Sequence, residues 1–329
     1  IRAPAFGQGP FYFAGGKNYV YMVKLNDRVS FILTELLYRQ EDGTLNNDIH
    51  IVLDSIASAA ETPLAHDARC HILQLIFRHK AVEWRDGEKT PEEMFKMVKE
   101  SGELPKTSQP PVGEFLDLFT SLAEEGKKVI GIFVDSVLSG TYHTACMAAR
   151  QVMQEIPGAD IRIFDSLTAA TPISALALDI LKKADEGAGM DELEAFINGA
   201  IARTETCFSV NTLEYLQKGG RIGAVGALLG SLLGIRPVIT LDKEGKLVVA
   251  AKCRTRSKVL NTMLQISSSH GELERICIAH EGAEKDSEYL YEEMTKRYPG
   301  VPVLMTGIGA VLATHLGPGC IGLFVRTKE

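Results

Sequence analysis

Cysteine is scarce and scattered. Cys70, Cys146, Cys207, Cys253, Cys277 and Cys320 form no Cys-x-x-Cys pair. That excludes a zinc ribbon or a dense disulfide framework and leaves positions such as Cys277 in RICIAH to core packing. A reducing cytoplasm is the expected location. No run approaches the roughly 18–20 consecutive apolar residues of a membrane span. The first residues lack the basic-then-apolar layout of a secretory leader. Walker A, Gly-x-Ser-x-Gly and His-Glu-x-x-His patterns are missing, and no Gly-x-Gly-x-x-Gly follows a strand-like run. A net charge of -7 leaves no global basic field for nucleic acid. The one local basic run, Lys252, Arg254, Arg256 and Lys258, reads on its own as a solvated strand end.

What is present is an ordinary globular composition, 45% apolar and 23% charged, over 329 residues, enough for two modest domains. Residues 1–48 stand apart, rich in glycine and aromatics. Within them DRVSFILTELLYRQ predicts a short amphipathic helix, capped by Asp27, with Val29, Ile32, Leu33, Leu36 and Leu37 on one face. No function attaches to that extension. From His50 onward three apolar runs each end in Asp-Ser, at Asp54-Ser55, Asp135-Ser136 and Asp165-Ser166. Continuous Ile/Val/Phe runs mark strands buried on both faces, as in a parallel sheet. Helical segments TPEEMFKMVKES and VGEFLDLFTSLAEEG lie between them, which predicts an α/β architecture with ligands at the carboxyl ends of the strands. The second half differs. PVITLDKEGKLVVAAKCRTR predicts a β-hairpin, and ELERICIAH and VPVLMTGIGA are two further strands flanking a helix. The expected division is an extension over 1–48, a parallel-sheet α/β domain over 49–164 and a mixed-sheet α/β domain over 165–329. The chain is expected to cross between the two domains.

Four segments carry candidate chemistry. Thr107, Ser108 and Gln109 precede Pro110-Pro111 at a helix entry, where hydroxyls serve equally as plain caps. Ser139-Gly140-Thr141 follows a strand and opens a helix. Free N–H groups beside hydroxyls there favour a small anion, and simple capping explains them as readily. His315 stands between an apolar stretch and Gly317-Pro318-Gly319, a structural or a site position. His143 and His280 read as structural. Lys218-Gly219-Gly220-Arg221 is a basic turn ahead of Leu228, Leu229, Leu232, Leu233 and Ile235, which sit among small residues. Interior glycines cost about 1 kcal/mol each in a helix, so this stretch suits the wall of an apolar tunnel as well as a core helix.

Together IVLDSIAS, LPKTSQP, DSVLSGTYHTA, RIFDSLTAA, YLQKGGRIG, GIRPVI, KCRTRSK and THLGPG, in this order over about residues 49–329, resemble the DegV family of fatty-acid-binding proteins. The resemblance implies a three-layer α/β/α domain with a parallel sheet, a second α/β domain with a mixed sheet, and one long-chain fatty acid in a tunnel between them. It implies a carboxylate held by Thr107, Ser139 and His315, with Ser108 and Gly140 beside them. Arg221 and Arg254 would serve the head group or a partner-docking face, and Leu228, Leu229, Leu232, Leu233 and Ile235 the acyl tunnel. It further implies no cofactor or metal and no catalytic site of its own. The implied partner is a separate ATP-dependent fatty-acid kinase that forms the acyl-phosphate for phospholipid synthesis, with transient contact to a membrane surface and none to nucleic acid. A 16-carbon chain buried at about 0.8 kcal/mol per CH₂ gains on the order of 10 kcal/mol before ordering costs. The competing reading is a hydrolase or transferase using Ser139 or Ser108 with His315, which requires a Ser–His hydrogen bond and an orienting carboxylate such as Asp135. A third reading is a lipid-sensing module that binds some other protein.

Overall fold

The computed structural model describes residues 11–15, 18–25, 28–32, 46–228 and 234–329. In chain order the strands and helices are β1 (Phe11–Gly15), β2 (Asn18–Leu25), β3 (Arg28–Ile32), β4 (Ile49–Asp54), β5 (Cys70–Leu73), β6 (Ile76–His79), β7 (Val82–Arg85), α1 (Pro91–Ser101), β8 (Lys106–Ser108), α2 (Val112–Glu124), β9 (Lys128–Phe133), α3 (Thr141–Glu155), β10 (Ile161–Asp165), α4 (Thr171–Asp185), α5 (Met190–Ala202), β11 (Thr204–Ser209), α6 (Glu214–Lys218), β12 (Arg236–Leu241), β13 (Leu247–Cys253), α7 (Arg256–Ser267), β14 (Leu273–His280), α8 (Glu284–Arg297), β15 (Val303–Gly307), α9 (Ala310–Leu316) and β16 (Ile321–Thr327).

The three Asp-Ser runs become neighbouring strands of one parallel sheet, ordered β10-β9-β4-β5. Alternation along each strand sends side chains to opposite faces. Val52, Val129 and Phe133 pack with Phe115 and Phe119 of α2 and Val152 of α3. Ile51, Leu53, Ile130 and Ile132 join the core that holds Ile173 and Ile180 of α4. Helices therefore cover both faces, and this is why the strands are apolar at every position. Local signals set the helix ends. Thr90 and Glu93 form a reciprocal capping box around Pro91, and α1 stops at Gly102, whose φ of 73° is left-handed.

The second sheet is mixed, ordered β13-β12-β11-β16-β14-β15, with only β14–β15 parallel. The expected hairpin is β12–β13. Asp242 Oδ1 closes its turn by accepting from the backbone N–H of Glu244 and Lys246. Helices α7 and α8 cover one face through Val259, Met263 and Leu290. The other face, with Phe208, Ala279 and Phe324, opens into the core that also contains α4. Helix α4 is thus a wall common to both sheets. Its Ser174 hydroxyl donates to Ala57 O at 2.6 Å, and its Asp179 pairs with Arg275 and Arg326 of the second sheet.

Two sequence expectations change. The helix expected from Asp27 is replaced over Arg28–Ile32 by β3, the last strand of an antiparallel β1-β2-β3 meander, while residues 33–40 lie outside the described set. Val29, Phe31 and Ile32 are strand formers, and pairing with β2 prevails over the helical spacing. The sequence reading also missed the small antiparallel sheet β7-β6-β8. Its β6–β7 hairpin turns at Lys80, φ 55°, and buries Phe77 stacked on Trp84 with ring centroids 5.0 Å apart. Among the described residues no helix is long and apolar enough to cross a membrane.

Candidate functional site

Between the two sheets lies a cleft with about 890 Å³ of space not filled by atoms, the open solvent at its edge included. Its walls are almost wholly apolar and include Phe208, Leu241, Leu247, Val311, Leu312 and Phe324. Gly322 makes room for one of these. A Cβ there would stand 2.7 Å from the Phe324 ring. Polar side chains enter the lining at Thr107, Ser139, Thr206, Arg221 and His315. A second, more polar recess shares Leu138, Ser139, Arg221 and Leu247 with the cavity and adds Ser136, Gly140 and Lys246. The apolar cavity therefore adjoins a polar recess, hereafter its mouth.

Thr107 reaches the cavity because β8 runs along the β6 edge of the small sheet. Its hydroxyl lies 2.8 Å from His315 Nε2. Ser108, the next residue along the strand, is exposed and lines neither the cavity nor the mouth, so the alternation of a strand removes it from the expected carboxylate set. Ser139 is held by the turn after β9, where the Ser139 N–H donates to Asp135 O at 3.1 Å, and its hydroxyl is 2.8 Å from that of Thr141. Gly140 borders the mouth. A Cβ on it would lie 2.2 Å from Gln109 Oε1, so Gln109 presses the two hydroxyl-bearing segments together while donating to Thr144 Oγ1.

His315 is kept neutral. Burial, and next the Arg221 charge, bring its pKa down to about 4. Its Nδ1 is buried without a partner among the described residues, and the space beside it is left open by Gly219, where a Cβ would stand 2.3 Å away. With the proton on Nε2 the ring donates to Thr107 Oγ1, and the Thr107 hydroxyl hydrogen is left for a ligand oxygen. Arg221 is exposed and braced across the mouth, donating from Nε to Leu138 O at 3.1 Å and from a terminal nitrogen to Gly219 O at 2.8 Å. The arrangement offers hydroxyl donors and a fixed positive charge at the rim of a greasy cavity, which suits an amphiphile with an anionic head.

Other expected residues fare differently. Arg254 is exposed and lines neither recess. Leu228 is buried and Ile235 half-buried, but neither lines the cavity, and Leu229, Leu232 and Leu233 lie outside the described residues. The described wall draws instead on β11–β13, β16 and α9, with Ile56, Val134 and Ala170 from the side of the first sheet. Those residues follow the same periodic pattern as ordinary core, so no sequence signal separated them. Lys246 was missed because it reads as a hairpin-turn residue. The hydrolase geometry is not formed. His315 Nε2 meets Thr107 rather than Ser139 or Ser108, and among the described residues no carboxylate orients Nδ1. Among the described residues no His/Cys/Asp/Glu group is placed to hold a metal ion.

Comparison with known proteins agrees with this architecture. The chain is 30% identical over 287 residues to Protein DegV of Bacillus subtilis, covering 84% of this chain and 98% of that one. It is 35% identical over 225 residues to a DegV domain-containing protein of Streptococcus pyogenes, covering 68% and 79% respectively. Among solved structures it resembles one describing fatty acid binding of a DegV family protein from Thermus thermophilus, with TM-score 0.77, 30% identity and coverage of 85% and 100%. It also resembles DegV, a fatty acid binding protein from Bacillus subtilis, with TM-score 0.74, 28% identity and coverage of 85% and 99%. Residues 48–328 match the family described as "Uncharacterised protein, DegV family". A parallel sheet and a mixed sheet facing one apolar cavity, together with a match over nearly the whole described body, make this chain a member of the DegV family.

Proposed function

We propose that the chain binds one long-chain fatty acid, with the acyl chain in the apolar cavity and the carboxylate at Thr107, Ser139 and His315. The observation that carries this reading is the 2.8 Å Thr107–His315 pair set into the otherwise apolar lining, beside Ser139 and Arg221. Thr107 and Ser139 supply hydroxyl donors, neutral His315 orients Thr107, and Arg221 contributes the charge that keeps the head group ionised at the mouth. A buried carboxylate lacking such donors would be protonated instead. The fatty-acid-binding relatives from Thermus thermophilus and Bacillus subtilis support the same ligand class.

In this reading the chain supplies no chemistry. It presents the carboxylate through the mouth to a separate ATP-dependent kinase, which forms the acyl-phosphate, and it exchanges lipid in transient contact with a membrane surface. Arg221 and Lys246 at the rim are the residues a partner would meet first. Calorimetric titration of delipidated protein with palmitate tests the binding step, and one equivalent taken up is expected. Labelled ATP with a purified fatty-acid kinase tests the second step, with acyl-phosphate expected only when both proteins are present. No uptake of palmitate would defeat the proposal at its root.

A further inference from the structure

Helix α9 is two turns long and could not hold His315 in place unaided. Its ends are fastened from elsewhere. At the start, buried Asp86 accepts from the Val311 N–H at 3.4 Å. At the far end two relays converge on consecutive carbonyls of the Gly317-Pro318-Gly319 turn. Asn211 donates to Pro318 O at 3.0 Å and is itself bonded by Arg236 at 2.8 Å. Arg256 donates to Gly319 O at 3.0 Å and to Asp286 at 2.7 Å. A Cβ on Gly319 would stand 2.0 Å from Asn211 Nδ2, so the turn fits against this clamp without side-chain space to spare. Arg256 also keeps its third guanidinium nitrogen buried with no acceptor among the described residues. An unpaired buried donor is a cost to folding, so stability alone is a poor reason for an arginine here.

We infer that Arg256 and Asn211 are positioning residues of the head-group site: by holding the turn that follows α9 they keep the His315 ring in register with Thr107. The inference rests on the fatty-acid reading for its ligand and on the hydrogen bonds alone for its geometry. It also gives the KCRTRSK segment a role, one assigned to Arg256 rather than to Arg254.

The experiment compares wild type, Arg256→Gln, Arg256→Lys and Asn211→Ala, all delipidated full chains. Affinities for palmitate and methyl palmitate are measured beside the ring ¹⁵N shifts of His315 without ligand. Arg256→Gln and Asn211→Ala are expected to weaken palmitate roughly fivefold, the size of effect one hydrogen bond produces. Methyl palmitate, which brings no carboxylate, is expected to change less than about twofold by the same reasoning. The His315 ring signals move in both variants, and Arg256→Lys recovers the wild-type signals and most of the palmitate affinity. Equal losses for acid and ester, or unmoved ring signals, would overturn the inference. Should wild type bind neither compound, the fatty-acid reading falls, and the ring shifts alone still decide whether the clamp positions His315. Asn211 is exposed, so its variant carries the test if Arg256→Gln folds poorly.

Discussion

Gly219 stands against His315 so closely that a Cβ on it would lie 2.3 Å from Nδ1. The glycine of the basic turn therefore leaves the space into which the His315 ring fits. Gly219→Ala should push the ring away from Thr107 and weaken fatty-acid binding about tenfold, a loss of about 1.4 kcal/mol. Gly220→Ala is the contrast. Nothing lies within 4 Å of a Cβ there, but φ is 72°, so its cost is backbone strain and falls on stability. Titration and urea midpoints on both variants check the separation.

The Thr107 hydroxyl is predicted to act through hydrogen bonding rather than bulk. Thr107→Val preserves shape and removes the donor, and it should weaken palmitate by about 1–2 kcal/mol while leaving methyl palmitate nearly unchanged. Thr107→Ser should retain most of the affinity. Displacement of a fluorescent fatty acid reads all three.

The carboxyl of Asp135 predicts a pH dependence. Burial above all, with Asp165 and Asp242 nearby, pushes its pKa up to about 7, against the hydrogen bond it accepts from the Val137 N–H. Its Oδ2 has no partner among the described residues and faces the hairpin turn, where a Cβ on Gly245 would stand 2.4 Å from it. A carboxyl with a raised folded-state pKa gives stability that is complete below its unfolded pKa of about 4 and lost as pH rises through about 7. Asp135→Asn should accordingly gain stability over wild type at pH 8, by on the order of 1–3 kcal/mol, and much less at pH 4. Urea midpoints at the two pH values check this, and an equal effect at both would contradict it. Asp54, also raised to about 7 by burial, adds a dependence of the same sign that the Asp135 variant leaves in place.

The cavity wall makes a separate prediction about chain length. Leu247 is buried and lines both cavity and mouth. Leu247→Ala would enlarge the space near the rim at a folding cost of about 2–4 kcal/mol. It should loosen binding of every acyl length alike. Val311→Phe would intrude on the cavity and penalise longer chains more than shorter ones. A dissociation series over acyl lengths distinguishes the two patterns.

Much of this was legible beforehand, for identifiable reasons. Asp54, Asp135 and Asp165 each end an apolar run, and strands buried on both faces leave that mark. Asp242 to Gly245 between two β-rich runs announced the hairpin. Thr107, Ser139 and His315 drew attention because each lies within three residues of a proline or glycine. What stayed hidden depends on three-dimensional approach. Ser108 and Thr107 are neighbours in sequence, and only the pleat of β8 decides which faces the cavity. Phe208, Leu241 and Val311 look like any core residue until the second sheet is set opposite the first. Arg256 and Arg254 are two residues apart, and only the docking of the Gly317-Pro318-Gly319 turn selects Arg256.

The central claim, a fatty acid held by its head group at Thr107 and Ser139, is tested most directly by mass spectrometry. Solvent extracts of the purified wild type and of a Thr107→Ala, Ser139→Ala double variant would be compared. The account predicts one fatty acid per wild-type chain and a clear reduction in the variant. Lipid-free wild type that also fails to take up added fatty acid, or undiminished lipid in the variant, would contradict it.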